Sequence, residues 1–112
     1  MAVVRKEDGS VVCERCLVAD SAWLRMKGLL GRPSLADDAG ILLRPASSVH
    51  MFFMRFAIDA VFLDRELRVV KVAANLRPWR MAGAMRSRAV LELPAGACER
   101  RGIREGDQLS LE

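Results

Sequence analysis

Apolar positions fall in short runs separated by turn formers, and only one segment has the makings of a helix. Val3-Val4-Arg5 and Val11-Val12-Cys13 flank Asp8-Gly9, and Asp-Gly between short apolar runs signals a hairpin because Gly accepts the positive φ of a tight turn. The second of these strands is expected to continue to Val18. Asp20-Ser21 offers an N-cap to a stretch of straight-chain helix formers, so a helix is predicted over residues 21–30, stopped by Gly31 with Pro33 beyond. Gly28 weakens that helix by about 1 kcal/mol relative to Ala, which points to close packing there. Ile41-Leu42-Leu43 reads as a buried strand closed by Pro45. A second hairpin is expected from residues 60–63 through a turn at 64–67 into 68–73, whose β-branched content favours strand. Residues 75–88 hold Pro78, Trp79 and Gly83 without a clear period and read as loop. Ala89-Val90-Leu91-Glu92-Leu93 is a strand ended by Pro94 and Gly96. Residues 97–101 supply one or two helical turns, with Gly102 as the stop. Residues 108–111 alternate as a half-buried last strand should.

This pattern has no βαβ rhythm and no internal repeat. It predicts an α+β, strand-dominated fold: a small barrel-like or half-barrel sheet of six to seven short strands with one helix packed across it. At 112 residues the chain fits a single domain spanning residues 1–112.

One run departs from the rest. Residues 48–64 hold all four phenylalanines, the only histidine and two of the six methionines, yet carry His50, Arg55 and Asp59 among them. Polar groups in a stretch built for burial must be paired or line a site. The run divides into an entry segment, 48–57, where the strand pattern fails, and a strand, 58–64, with Asp59 at its mouth. An Asp beside a His orients the ring and favours the imidazolium, so His50 and Asp59 are the candidates for an acid–base pair. A buried hydrogen bond or a corner in which Asp59 accepts backbone N–H groups is the structural alternative.

Charge adds a second candidate region. The net charge is +4, and 15 of the 18 basic residues are Arg, whose fork suits carboxylate or phosphate. Between Leu67 and Leu91 there are six basic residues and no acid, with Trp79 among them. Single-stranded nucleic acid is considered for this stretch but disfavoured, since one Trp and no Tyr make a poor stacking platform. Met51, Met54, Met81 and Met85 are candidates for an adaptable apolar groove, with core filling as the commoner use of Met.

Other chemistry is weak. Cys13-x-x-Cys16 with Cys98 and His50 has the right ligand types for zinc. On one continuous strand, however, residues i and i+3 point to opposite faces about 10 Å apart. No metal and no cofactor is therefore expected, and an odd cysteine count argues against a disulfide framework. There is no nucleophile elbow and no phosphate-binding Gly loop. No stretch approaches the length of a membrane span, and residues 1–12 lack the apolar run of a signal peptide. A cytoplasmic protein with no membrane partner is the expectation.

Several segments together resemble the DUF192 family, also called UPF0127. They are Gly28-Leu29-Leu30-Gly31-Arg32, Gly40-Ile41-Leu42-Leu43, residues 50–64, Val90-Leu91-Glu92-Leu93-Pro94-Ala95-Gly96 and Gly102-Ile103-Arg104-Glu105-Gly106-Asp107. The family is uncharacterised, so the resemblance implies a compact β-rich domain with one helix and no particular reaction. The functional expectation is a binding module for a small anionic ligand, peptide or protein partner. Its candidate contacts are His50, Met54, Arg55, Asp59, Arg77, Trp79 and Arg80, with the arginines for an anionic group. An enzyme using His50 and Asp59, and an interaction domain without a small-molecule site, are the alternatives.

Overall fold

The structure, a computed structural model, describes residues 1–19, 21, 32 and 34–112. Among these, ten strands and one short helix occur in the order β1 (Val3–Arg5), β2 (Val11–Cys13), β3 (Arg15–Ala19), β4 (Ala39–Leu43), β5 (Ser48–His50), β6 (Ile58–Leu63), β7 (Val69–Leu76), β8 (Met81–Gly83), β9 (Ala89–Pro94), α1 (Ala97–Arg101) and β10 (Leu109–Leu111). The strand-dominated α+β class is as the pattern predicts. The strand count is higher than six or seven because five of the strands are only three residues long. The predicted helix over residues 21–30 lies outside the described residues.

The strands form three sheets, and the sheet is open, not a closed barrel. A five-stranded sheet runs β3-β4-β9-β6-β7, a three-stranded sheet runs β10-β1-β2, and β5 and β8 form a two-stranded ribbon. Every pairing is antiparallel except β3 with β4. A parallel pair needs a long crossover, and the stretch between Ala19 and Ala39 provides one.

The central strands β6 and β9 are buried at all six positions each, as strands covered on both faces must be. This explains why residues 58–63 read as a near-continuous apolar run. Alternation then divides their side chains between two cores. Val61, Leu63, Leu91 and Leu93 face a core shared with Val3, Val12, Leu109, Ala97 and Cys98 from the three-stranded sheet and α1. Ile58, Ala60, Phe62 and Val90 face the other, shared with Val49, Met51 and Met54 from the β5 side of the ribbon and the turn after it.

Two strand boundaries correct the sequence reading. The strand beginning at Val11 does not run on to Val18: it breaks at Glu14, and the chain passes from the three-stranded sheet to the five-stranded one. Residues 75–88 are not simply a loop, because β7 extends to Leu76 and Met81–Gly83 pairs with Ser48–His50. A three-residue strand whose pairing partner lies some thirty residues away has too little local pattern to be read in advance. One glycine is required by packing. A Cβ on Gly40 would lie 2.9 Å from Cys13 Sγ and 2.9 Å from the Glu92 carbonyl oxygen.

Candidate functional site

Asp59 is fully buried on β6. By strand alternation it shares the face of Val61 and Leu63, away from the layer that carries His50. Its Oδ1 accepts the Asn75 N–H at 2.8 Å and the Gly96 N–H at 3.1 Å, and its Oδ2 accepts the Cys98 N–H at 2.9 Å. Three charge-assisted bonds to backbone explain how an ionisable group survives there. They join β6 to the β7 end and to the start of α1. This is the structural alternative stated above, and the carboxylate has no oxygen left over to orient a histidine.

The entry segment goes elsewhere. His50 is exposed on β5, opposite Met81 on β8. Beyond them two turns dock on one another. Residues 51–54 close with the Met54 N–H donating to the Met51 carbonyl at 3.2 Å, and residues 77–80 close with the Arg80 N–H donating to the Arg77 carbonyl at 3.2 Å. The Trp79 N–H donates to the Met51 carbonyl at 2.7 Å, and the Met51 N–H donates to the Arg80 carbonyl at 2.7 Å. These bonds hold the turns side by side.

Each turn has a large aromatic at its third position in left-handed backbone: Phe53 with φ 65° and Trp79 with φ 70°. That position favours Gly or Asn, and a bulky residue there costs on the order of 1 kcal/mol. Both side chains project outward, Phe53 73% and Trp79 59% exposed, beside Met81 at 66%.

The rings form a ladder. His50 lies 4.9 Å from Phe52 with planes 31° apart, Phe52 lies 6.0 Å from Trp79 at 29°, and Phe53 meets Trp79 edge-on at 4.8 Å. Arg77 and Arg80 bound the turn that carries Trp79, Arg55 follows the turn at residues 51–54, and all three are exposed. Their guanidinium groups make no hydrogen bond or ion pair with any described residue.

Of the residues singled out in the sequence, the structure thus gathers His50, Arg55, Arg77, Trp79 and Arg80 in one region. It places Asp59 in the opposite core and Met54 under the turn, buried. The four methionines separate likewise, with Met51 and Met54 buried and Met81 and Met85 exposed. Phe52 and Phe53 were missed as site residues because an aromatic in an apolar run reads as core. Glu92 was missed too, although a lone acid within Ala89–Pro94 carried the same signal as Asp59. It is only 7% exposed, lies between Ile41 and Ala60 in the sheet, and has no hydrogen-bond or ion-pair partner among the described residues. Burial alone pushes its carboxyl up to about 7.

The cysteines also sit differently from expectation. The bend at Glu14 turns Cys13 and Cys16 into the same core, where the Cys13 thiol donates to the Asp38 carbonyl at 3.8 Å and the Cys16 thiol to the Leu17 carbonyl at 3.7 Å. Interaction between the two thiols holds Cys13 below its ordinary range and, with burial, pushes Cys16 up. Burial, and then the Asp59 carboxylate, push Cys98 up to about 12. All three cysteines are free and buried. No cluster of three or more His, Cys, Asp and Glu suited to a metal occurs among the described residues.

An open, double-covered sheet with an exposed aromatic ribbon at one side defines a small β-rich domain, not a closed barrel. The DUF192 family model, described as Uncharacterized ACR, matches residues 3–111, and the chain belongs to that family. A UPF0127 protein of Thermococcus sibiricus is 31% identical, over 98% of this chain and 74% of the relative. Another from Pyrococcus horikoshii is 36% identical over 82% of this chain and 83% of its own length. Two solved structures share the fold. A protein of unknown function from Novosphingobium aromaticivorans has a TM-score of 0.84 at 27% identity, covering 98% of this chain and 82% of that one. A putative transcription regulator from Sinorhizobium meliloti has a TM-score of 0.83 at 22% identity, covering 97% and 89%. No helix among the described residues is long and apolar enough to cross a membrane.

Proposed function

We propose that this protein is a binding module whose contact surface is the ring ladder of His50, Phe52, Phe53 and Trp79, with Met81 beside it and Arg55, Arg77 and Arg80 around it. The observation that carries this reading is the pair of docked turns. Two bulky aromatics occupy strained left-handed positions and project into solvent, where folding gains little from them. Strain of this kind, retained with no burial in return, is a mark of a functional surface. Trp, Phe, Met and Arg are also the residues enriched where partners are held. The unpaired arginines give the surface a preference for a partner bearing an anionic group next to a flat or apolar one.

Enzymatic use of His50 with Asp59 finds no support in this arrangement, since the carboxylate is committed to three backbone donors. Met54 supports the surface from beneath, and Asp59 lies in the other core. An NMR titration with small aromatic carboxylates and aryl phosphates tests the reading. Shifts concentrated at residues 50–55 and 76–81 are expected. Shifts spread evenly over the molecule, or none, would count against it.

A further inference from the structure

Resting on that reading of the surface, we infer that the ladder takes single-stranded nucleic acid, with bases stacking on the rings and phosphates held by the arginines. On the sequence alone this partner is disfavoured because a lone Trp stacks poorly. The fold changes the count by bringing Phe52 and Phe53, distant from Trp79 in the chain, into ring contact with it, with His50 beyond on Phe52.

The geometry has the features such a ligand needs. Three rings, His50, Phe52 and Trp79, succeed one another with planes only about 30° apart. These rings cover one another's inner faces, so the surface left for bases is that of the exposed Phe53 and Trp79, which tolerates any base because every base has a π-face. Exposed arginines sit in or next to the two turns, and no exposed acid lies within residues 50–56 or 67–91. Residues 67–91 contain no Asp or Glu, Asp59 is buried and satisfied, and Glu92 is buried. Arg55, Arg77 and Arg80 are free to meet phosphate bidentately.

Other occupants fit less well. A second copy of the chain would bring like-charged arginines together. An acidic peptide would satisfy the arginines and leave the near-parallel rings unexplained. A lipid surface would be met by apolar tips alone, whereas this ladder has the polar His50 as one of its steps.

The test compares ligands of equal charge. Fluorescence anisotropy of a labelled oligothymidine of roughly twelve nucleotides is measured on the intact chain at low salt, with inorganic polyphosphate, a poly-glutamate peptide and phosphatidylglycerol vesicles as competitors. The oligonucleotide is expected to bind and to outcompete polyphosphate by about tenfold, since polyphosphate offers charge without bases. Trp79→Ala and Phe53→Ala are each expected to weaken the oligonucleotide about tenfold and leave polyphosphate unchanged, with the far-UV circular dichroism of the wild type. Arg77→Ala and Arg80→Ala should weaken both ligands and lower the salt slope by about 0.7 each.

Equal affinity for polyphosphate and oligonucleotide, or an oligonucleotide affinity indifferent to Trp79→Ala, would overturn the inference. So would tight binding to vesicles or poly-glutamate with none to the oligonucleotide. If the oligonucleotide fails while aryl phosphates still shift residues 50–55 and 76–81, the nucleic-acid partner falls and the binding surface stands. If the small anions fail as well, both fall.

Discussion

Asp59 and three of the ladder's four rings, His50, Phe52 and Phe53, arise from the same seventeen-residue run, and the molecule treats them in opposite ways. Asp59 is a charged group in the interior with every oxygen engaged, so its environment accounts for it completely. Phe53 and Trp79 are apolar groups in solvent, on backbone that disfavours them, and nothing in the fold accounts for them. The oddity that stood out in the sequence, an acid among apolar residues, turns out to be structural. The feature with functional promise joins two rings that stood out, His50 and Trp79, to two that looked ordinary, Phe52 and Phe53. A buried polar residue is informative only once its partners are known. An exposed, strained aromatic is informative by itself.

The largest expected effect falls on the buried side. Asp59→Ala leaves three backbone N–H groups without an acceptor, that of Cys98 buried and those of Asn75 and Gly96 part-buried, and should lower the unfolding free energy by about 3 kcal/mol, read from urea denaturation. Asp59→Asn should recover only part of it, since its NH2 cannot accept the bond now made to Oδ2. A loss below about 1 kcal/mol for Asp59→Ala would dissolve the contrast.

Glu92 offers the next effect, because it is a buried carboxyl without the partners Asp59 has. Its pKa is raised in the folded state, so the folded chain holds that proton more tightly than the unfolded chain. The resulting stability is fully present below the unfolded value near 4.5 and is lost as pH rises through about 7. A shift of this size corresponds to at most about 3 kcal/mol. Stability should therefore fall between pH 5 and pH 8, and Glu92→Gln should remove most of that fall. Two carboxyls shift the other way: Asp8, held down by hydrogen bonds from Ser10, and Asp38, held down by Arg15. Both lie at the surface and titrate below this window. A wild-type curve flat from pH 5 to pH 8 would show that Glu92 stays hydrated or finds a partner.

Gly40→Ala should cost about 1 to 3 kcal/mol, since its Cβ meets Cys13 Sγ and the Glu92 carbonyl inside ordinary contact distance. The smallest effects belong to the ladder. Phe53→Gly and Trp79→Gly relieve left-handed strain and give up little burial, so each should change stability by less than about 1 kcal/mol. A loss of 2 kcal/mol or more in either, measured by the same denaturation, would mean that the ladder holds the fold together.

Much of the architecture was legible. The Asp8-Gly9 hairpin, the strand closed by Pro45, the turn at residues 64–67 and the helical turns stopped by Gly102 are all present. Each rests on local chemistry: a positive φ, a missing N–H, an Asx carboxylate such as Asp64 accepting from Glu66 and Arg68. The break at Glu14 and the strand Met81–Gly83 were not legible. Both are decided by which distant segment supplies the next hydrogen-bonding edge, and three residues carry too little pattern to announce it.

The candidate site divides along the same line. His50, Arg55, Arg77, Trp79 and Arg80 were identifiable from residue type and from the acid-free basic stretch. Phe52 and Phe53 were not, because composition cannot tell a buried aromatic from an exposed one.

The order of strands and turns, the strand-rich class and the positive character of residues 67–91 were thus determined by the chain itself, since each depends on side chains near one another in sequence. Tertiary structure alone decided that Asp59 would meet three backbone donors from β7 and the start of α1, that Glu92 would meet none among the described residues, and that four rings from β5 and two separate turns would form one surface. Those outcomes depend on which face of a strand turns inward and which segments lie across from it. Alternation allows either face, and long-range pairing chooses between them.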